Sequence, residues 1–286
     1  MRRRWSVFLG WCALAVVAKG AELAWVELAT SGAPASAAAF YGQTFGWTVE
    51  KQGEGDWDPV VFRRGDRVIG GVAHREGLRM AKARARWVGF FAADDADGWE
   101  RRVREAGGRL LDGGHRGAAT GARQMLFADE EGAVFGAVLG LGESMRSGPG
   151  FWPVALARDT PAAAKFYQRV LGGVVRDEGR TPMFRGDFLL ASGGGVRAGV
   201  QPASVGGRAG WIFLIGVVDI DATVKTARRA GARVWREPLV DLIGGRVAVL
   251  SDPMGGVFGL YEVLPAGAGL PRGEIKGHYD VEAVSQ

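Results

Sequence analysis

Glu27 is the residue whose setting could most readily do chemistry. It lies in Trp25-Val26-Glu27-Leu28, which reads as a β-strand. A strand points alternate side chains to one face, so Glu27 shares a face with Trp25. A carboxylate walled by apolar surface holds its proton more tightly than one in water, and it could act as a general base or grip a cationic or hydroxyl-bearing ligand. The plainer alternative is a hydrogen bond to neighbouring backbone or a place on a wet rim, since a lone carboxylate does not define a catalytic site. Trp25, Trp152, Phe90 and Tyr261 fall on inward positions of their predicted strands. They could line a pocket for a flat or apolar ligand, or they could fill a core.

Other reactive side chains are few. His74, His115 and His278 fall in predicted loops, a strand end and the tail, without paired spacing. Surface or loop roles are expected for them, because a metal needs converging donors. Ser192-Gly193-Gly194-Gly195 lacks the lysine and the strand-to-helix setting of a phosphate loop and reads as a hairpin turn. Asp129 and Asp252-Pro253 read as turn formers ahead of a closing strand. Arg123 and Arg246 occupy matched positions and are expected to pair with nearby carboxylates.

The elements that must position these residues occur twice, roughly 125 residues apart. Trp25-Val26-Glu27-Leu28 is answered by Trp152-Pro153-Val154-Ala155-Leu156, Ala39-Phe40-Tyr41 by Lys165-Phe166-Tyr167, and Ala106-Gly107 by Ala230-Gly231. The closing segment from Asp129 to Gly136 returns as Asp252 to Gly259. Within each copy a strand is followed by an amphipathic helix, with Ala38, Tyr41 and Phe45 sharing one stripe and Ala164, Tyr167 and Leu171 the other. Further strands follow, including Pro182 to Phe184 in the second copy, and the pattern then restarts. Asp94 to Asp97 and Asp219 to Asp221 supply N-caps for a second helix in each copy. The chain therefore reads as α+β, with four βαβββ modules. The Gly-, Ser- and Pro-rich stretch around Gly140 to Gly150 divides it into domains at 22–141 and 151–264, joined by a linker at 142–150 and followed by an irregular tail at 265–286.

These landmarks resemble the vicinal oxygen chelate superfamily, which includes glyoxalase I, extradiol dioxygenases and bleomycin-resistance proteins. "AAFYGQTFGW", "KFYQRVLGG" and "GGRVAVLSDPMGGVFGLYEV" look like its first helix and last strand, in the expected order. The resemblance implies two tandem glyoxalase-like domains whose curved, cup-shaped mixed sheets bind a small molecule. In metal-dependent members, His, Glu or Gln residues on the first and last strands of each module hold a divalent ion. Carried onto this chain, those positions fall on Trp25 and Trp152, Val88 and Ile212, Gly136 and Gly259, and near Gly70 and Gly199. No metal site and no cofactor are therefore expected. The leading expectation is a metal-independent protein that binds a small apolar or aromatic molecule, with Trp25, Glu27, Phe90, Trp152 and Tyr261 as candidate site residues. The alternative is a lyase, isomerase or dioxygenase-like enzyme that uses Glu27 as base or a non-standard metal site.

The N-terminus carries its own signal. Arg2-Arg3-Arg4 precedes an uncharged, mostly apolar run from Trp5 to Ala18, too short for the ~20 residues that span a bilayer. Residues 1–20 read as a cleaved signal peptide, giving a periplasmic or secreted protein without stable membrane insertion. The only cysteine, Cys12, lies inside that segment. A mature chain would have no thiol for a disulfide, a nucleophile or a metal. The formal charge of +5 owes three charges to those arginines, and Lys82, Arg84 and Arg86 read as a solvated linker, so no nucleic-acid partner is expected. Whether the copies pair within one chain or across a homodimer stays open.

Overall fold

The computed structural model describes residues 21–75, 85–146, 150–177, 188–192, 195–203, 207–241 and 245–263. The expected signal segment, the strand expected at Pro182 to Phe184, Lys82, Arg84, His278 and the tail lie outside these residues. No helix among the described residues is long and apolar enough to cross a membrane.

The first copy runs β1 (Leu23–Thr30), α1 (Pro34–Phe45), β2 (Thr48–Lys51), β3 (Val60–Arg64), β4 (Arg67–His74), β5 (Ala85–Ala92), α2 (Ala96–Glu105), β6 (Arg109–Arg116), β7 (Arg123–Ala128) and β8 (Val134–Leu139). A short 3-10 helix, Glu143–Met145, follows. The second copy runs β9 (Phe151–Ala157), α3 (Thr160–Leu171), β10 (Val174–Asp177), β11 (Phe188–Ser192), β12 (Gly195–Pro202), β13 (Gly210–Gly216), α4 (Ile220–Arg229), β14 (Arg233–Asp241), β15 (Gly245–Ser251) and β16 (Val257–Val263). Each copy forms one eight-stranded sheet, in the order β2-β3-β4-β1-β5-β8-β7-β6 and its counterpart β10-β11-β12-β9-β13-β16-β15-β14. The fold is the expected α+β arrangement of four βαβββ modules. First and last strands of a module pair in parallel, and the two modules join through antiparallel β1 and β5, or β9 and β13.

Local chemistry sets the helix limits. Asp95 caps α2 by accepting from the Asp97 and Gly98 amides, and Asp219 caps α4 through the Ala222 amide, both within the stretches expected to do so. The α1 helix opens on a proline at its first turn and stops at Gly46, whose φ of 66° suits the left-handed C-cap that glycine takes most easily. Arg246 pairs with Asp221 at 2.6 Å, as expected, whereas Arg123 donates to the Gly113 carbonyl instead of a carboxylate, because β6 brings backbone to it.

The helices are packed between the two sheets, α1 against α4 and α2 against α3. Each main core is thus built half from each copy. One joins Tyr41, Phe62 and Trp87 to Phe213, Leu250 and Phe258, and the other joins Trp99, Phe127 and Phe135 to Phe166, Tyr167 and Val200. The copies therefore pair within the chain. Two buried hydrogen bonds tie them reciprocally: the Tyr41 hydroxyl donates to Asp252 Oδ2 and the Tyr167 hydroxyl donates to Asp129 Oδ2, each at 2.7 Å. Burial, with the facing aspartate next in weight, pushes both tyrosine hydroxyls well above their ordinary range, so they stay donors.

Asp129 and Asp252 do form the expected turns. Oδ1 of each accepts two backbone amides, from Glu131 and Ala133 or from Met254 and Gly256. Burial raises both carboxyls despite these bonds and the tyrosine bond, which work the other way. A raised folded pKa contributes stability that is complete below the unfolded value, about 3.9, and is lost as pH rises through the folded value. Urea unfolding from pH 4 upward is therefore expected to show the wild type losing ground to the Asp129→Asn/Asp252→Asn double variant just above the ordinary carboxylate range. A difference that does not change with pH would contradict this assignment.

Candidate functional site

The sheet faces turned away from the helices carry smaller clusters. In the first cup these include Trp25, Ala29, Val61, Val88, Phe90, Leu126 and Val138, covered by Ala119, Ala122 and Met145. Strand alternation puts Trp25, Glu27 and Phe90 on this face, and all three are fully buried. The second cup's cluster holds Val154, Ile212 and Val249, with Val257 packed against it, and strand alternation from Val154 and Val257 puts Trp152 and Tyr261 on the same face. Trp152, the counterpart of Trp25, is 37% exposed. The five candidate residues are thus divided three and two between the cups.

Glu27 does not stand alone. Arg75, the residue after β4, continues the ladder by donating its amide to the Thr30 carbonyl at 3.0 Å, and this turns its side chain into the first cup. Its guanidinium donates from Nε to Glu27 Oε1 and from Nη2 to Gln124 Oε1, both at 2.5 Å. It also lies over the Phe90 ring, 5.6 Å from the centroid, where the π face attracts a cation. The second oxygen of Glu27 accepts from Trp25 Nε1 at 3.3 Å. The plain alternative of a backbone bond or wet rim is replaced by a buried ion pair, with side chains 8% and 0% exposed.

The network continues outward to the surface. Arg75 Nη1 contacts His115 Nε2, and His115 Nδ1 lies 2.8 Å from Asp112 Oδ2. Arginine has no acceptor, so Nε2 must accept, and the ring proton sits on Nδ1, donated to Asp112. His115 lies at the surface, as expected, but on a strand rather than in a loop, and it also reaches the buried pair. The residue lies on β6 and links the buried pair to solvent, its side chain 40% exposed. Two register irregularities in β6, between Leu110 and Asp112 and between Asp112 and His115, aim both residues at the cup. His74, at the end of β4, packs against the exposed Trp57 ring.

The second copy keeps none of this. Matched registers place Val154 where Glu27 stands, Ala203 at Arg75, Val247 at Gln124, Leu239 at His115 and Arg236 at Asp112. Glu27 against Val154 was the asymmetry visible in the sequence. Arg75, Gln124, His115 and Asp112 were missed, although Gln124, an inward polar residue among apolar neighbours in β7 opposed to Val247, was a readable signal.

Fold and site together define a class: a tandem α+β protein whose paired modules curve each sheet into a cup, with the Arg75-centred cluster built in the first cup and its members replaced in the second. The chain belongs to the Glyoxalase/Bleomycin resistance protein/Dioxygenase superfamily, whose sequence model matches residues 23–136 and 152–259. It is 32% identical over 270 residues to "Anthracycline biosynthesis protein DnrV" of Streptomyces peucetius, covering 86% of this chain and 96% of that one. Among solved structures it resembles the Mn(II)-bound glyoxalase from Novosphingobium aromaticivorans, with a TM-score of 0.59 and 15% identity over 86% of this chain and 83% of that chain. It also resembles an extradiol ring-cleaving dioxygenase from B. fuscum, with a TM-score of 0.59 and 14% identity over 86% and 73%.

The family's divalent ion does not fit the residues present in the first cup. A side chain at Gly136 would collide with the Phe90 ring, and one at Gly70 would meet the Val26 carbonyl oxygen at 2.6 Å. Glu27 is already held by a cation, Arg75. Among the described residues, no three His, Cys, Asp or Glu side chains converge.

Proposed function

We propose that this chain is a metal-independent member of the superfamily that holds a small apolar or aromatic molecule in its first cup, and that it acts after export to the periplasm or medium. The observation that carries the reading is the Arg75-centred cluster beside Trp25 and Phe90, built in one copy and replaced at every position in the other. A polar group fixed within an apolar wall is how small-molecule sites orient a ligand. The name of the Streptomyces peucetius relative, an anthracycline biosynthesis protein, supports an aromatic ligand. Both oxygens of Glu27 accept from fixed donors, which suits an anchor for Arg75 better than a base.

Protein purified without chelators is expected to contain no stoichiometric divalent ion and to melt at the same temperature with and without EDTA. A bound ion whose removal lowers the melting temperature would sink the reading. N-terminal sequencing of the mature protein tests export, with cleavage expected near residue 18. A second reading, proton transfer, draws on the Asp112 carboxylate that orients the His115 ring, and it requires Arg75 to leave His115 Nε2 when substrate enters. It would prevail if substrate screening found an activity that His115→Gln or Glu27→Gln abolished.

A further inference from the structure

Gln124 is the member of the cluster left unfinished. It is fully buried, its Oε1 accepts from Arg75 Nη2, and its Nε2 has no partner among the described residues. Turning the amide over would not repair this, because it would set an NH2 group against a guanidinium that can only donate. Arg75 adds to the same excess. Its three contacts use one hydrogen on each nitrogen, which leaves one on each terminal nitrogen without an acceptor among the described residues. A buried cluster with surplus donors lacks an oxygen.

The charge balance says which kind of oxygen. Arg75 is already neutralised by Glu27, and His115 in the tautomer its contacts require is neutral. A carboxylate brought in would be a second buried anion beside Glu27 with no added cation, whereas a neutral carbonyl takes the donors and adds no charge to desolvate. Trp25 and Phe90, both fully buried in the cluster that includes Ala119 and Ala122, would supply flat surface next to that point once that cover lifts. Resting on the proposed binding reading, we infer that the first cup takes a neutral carbonyl oxygen carried on a flat aromatic body, with the oxygen received by Gln124 Nε2 and the outer N–H groups of Arg75.

Access is through the cover over Gln124. The Gly117 backbone lies against that side chain so closely that an added Cβ would fall 2.5 Å from its amide. The covering turn is bonded mostly to itself, Gly117 to Ala122 at 2.8 Å and Gly121 to Gly117 at 2.7 Å, and to β6 through Arg116. It presents only the small side chains Ala119 and Ala122 to the cup. Lifting it leaves the sheet ladder intact.

The test uses the full chain and three probes with one ring system: 1-acetonaphthone, 1-naphthoate and 1-ethylnaphthalene, titrated by calorimetry and tryptophan fluorescence. The ketone is expected to bind about tenfold tighter than the hydrocarbon, the increment of one good buried hydrogen bond, and tighter than the carboxylate. Gln124→Glu keeps an acceptor towards Arg75 but has no N–H to offer, so it should sharply reduce the ketone's advantage, and Gln124→Leu, which removes the same N–H, should also reduce it, the Arg75 N–H groups supplying what remains. Tightest binding of 1-naphthoate, or equal binding of all three, would overturn the carbonyl assignment while leaving aromatic binding in place. Absence of binding by every probe would overturn the binding reading along with it.

Discussion

Replacing Arg75 with methionine is expected to lower the free energy of unfolding by about 3–5 kcal/mol, the usual cost of leaving one partner of a buried ion pair uncompensated. Glu27 is fully buried and Arg75 is its cationic partner, so the carboxylate would be left with a single indole N–H at 3.3 Å. The Arg75→Met/Glu27→Leu double variant should recover most of the loss, because replacing a buried pair by apolar residues of similar volume is often nearly neutral. Urea unfolding of the two variants reads both effects. A single variant within about 0.5 kcal/mol of wild type, the range of an ordinary surface substitution, would show that the pair is not closed in solution. If stability recovers in the double variant but aromatic binding does not, the network is retained for recognition.

Tyr41→Phe and Tyr167→Phe should each cost about 1.5–3 kcal/mol, since each removes a hydrogen bond to a buried charged group. Tyr41→Phe also strips the Trp87 indole N–H of its acceptor, at 2.9 Å in the wild type. The two ties lie in different cores, so their effects should add to within a few tenths of a kcal/mol. For a domain pair of this size the melting temperature should fall by about 2–4 °C per kcal/mol. Calorimetry of both single variants and the double variant checks the sum, and a double variant no worse than either single one would show that the ties form one coupled unit.

The repeat made most of the fold legible. Matched strand starts, helix stripes, aspartate caps and closing segments fixed four modules in order, because each is a local pattern confined to a dozen residues. The site was legible only where one position sufficed, as at Glu27 against Val154. Its partners were not, since Arg75 lies 48 residues away and reaches Glu27 only once β4 is laid beside β1. The reach of His115 into the cup was hidden for a different reason. The irregularities in β6 break the two-residue alternation on which any reading of side-chain direction depends. Gln124 obeyed alternation, and a register comparison with Val247 would have exposed it.

The exchange of core halves between the copies has a consequence for what each cup is free to become. A chain whose halves bury their apolar faces only against one another behaves as a dimer whose subunits are permanently tethered, at an effective concentration no separate partner could match. Neither half can be dispensed with, whatever its cup does. The second cup is therefore free to lose the Arg75-type cluster without endangering the assembly, because its sheet still works as the scaffold that keeps the first cup in shape. Expressed as separate fragments, residues 21–141 and 150–264 should each be poorly soluble and should regain a folded complex only on mixing.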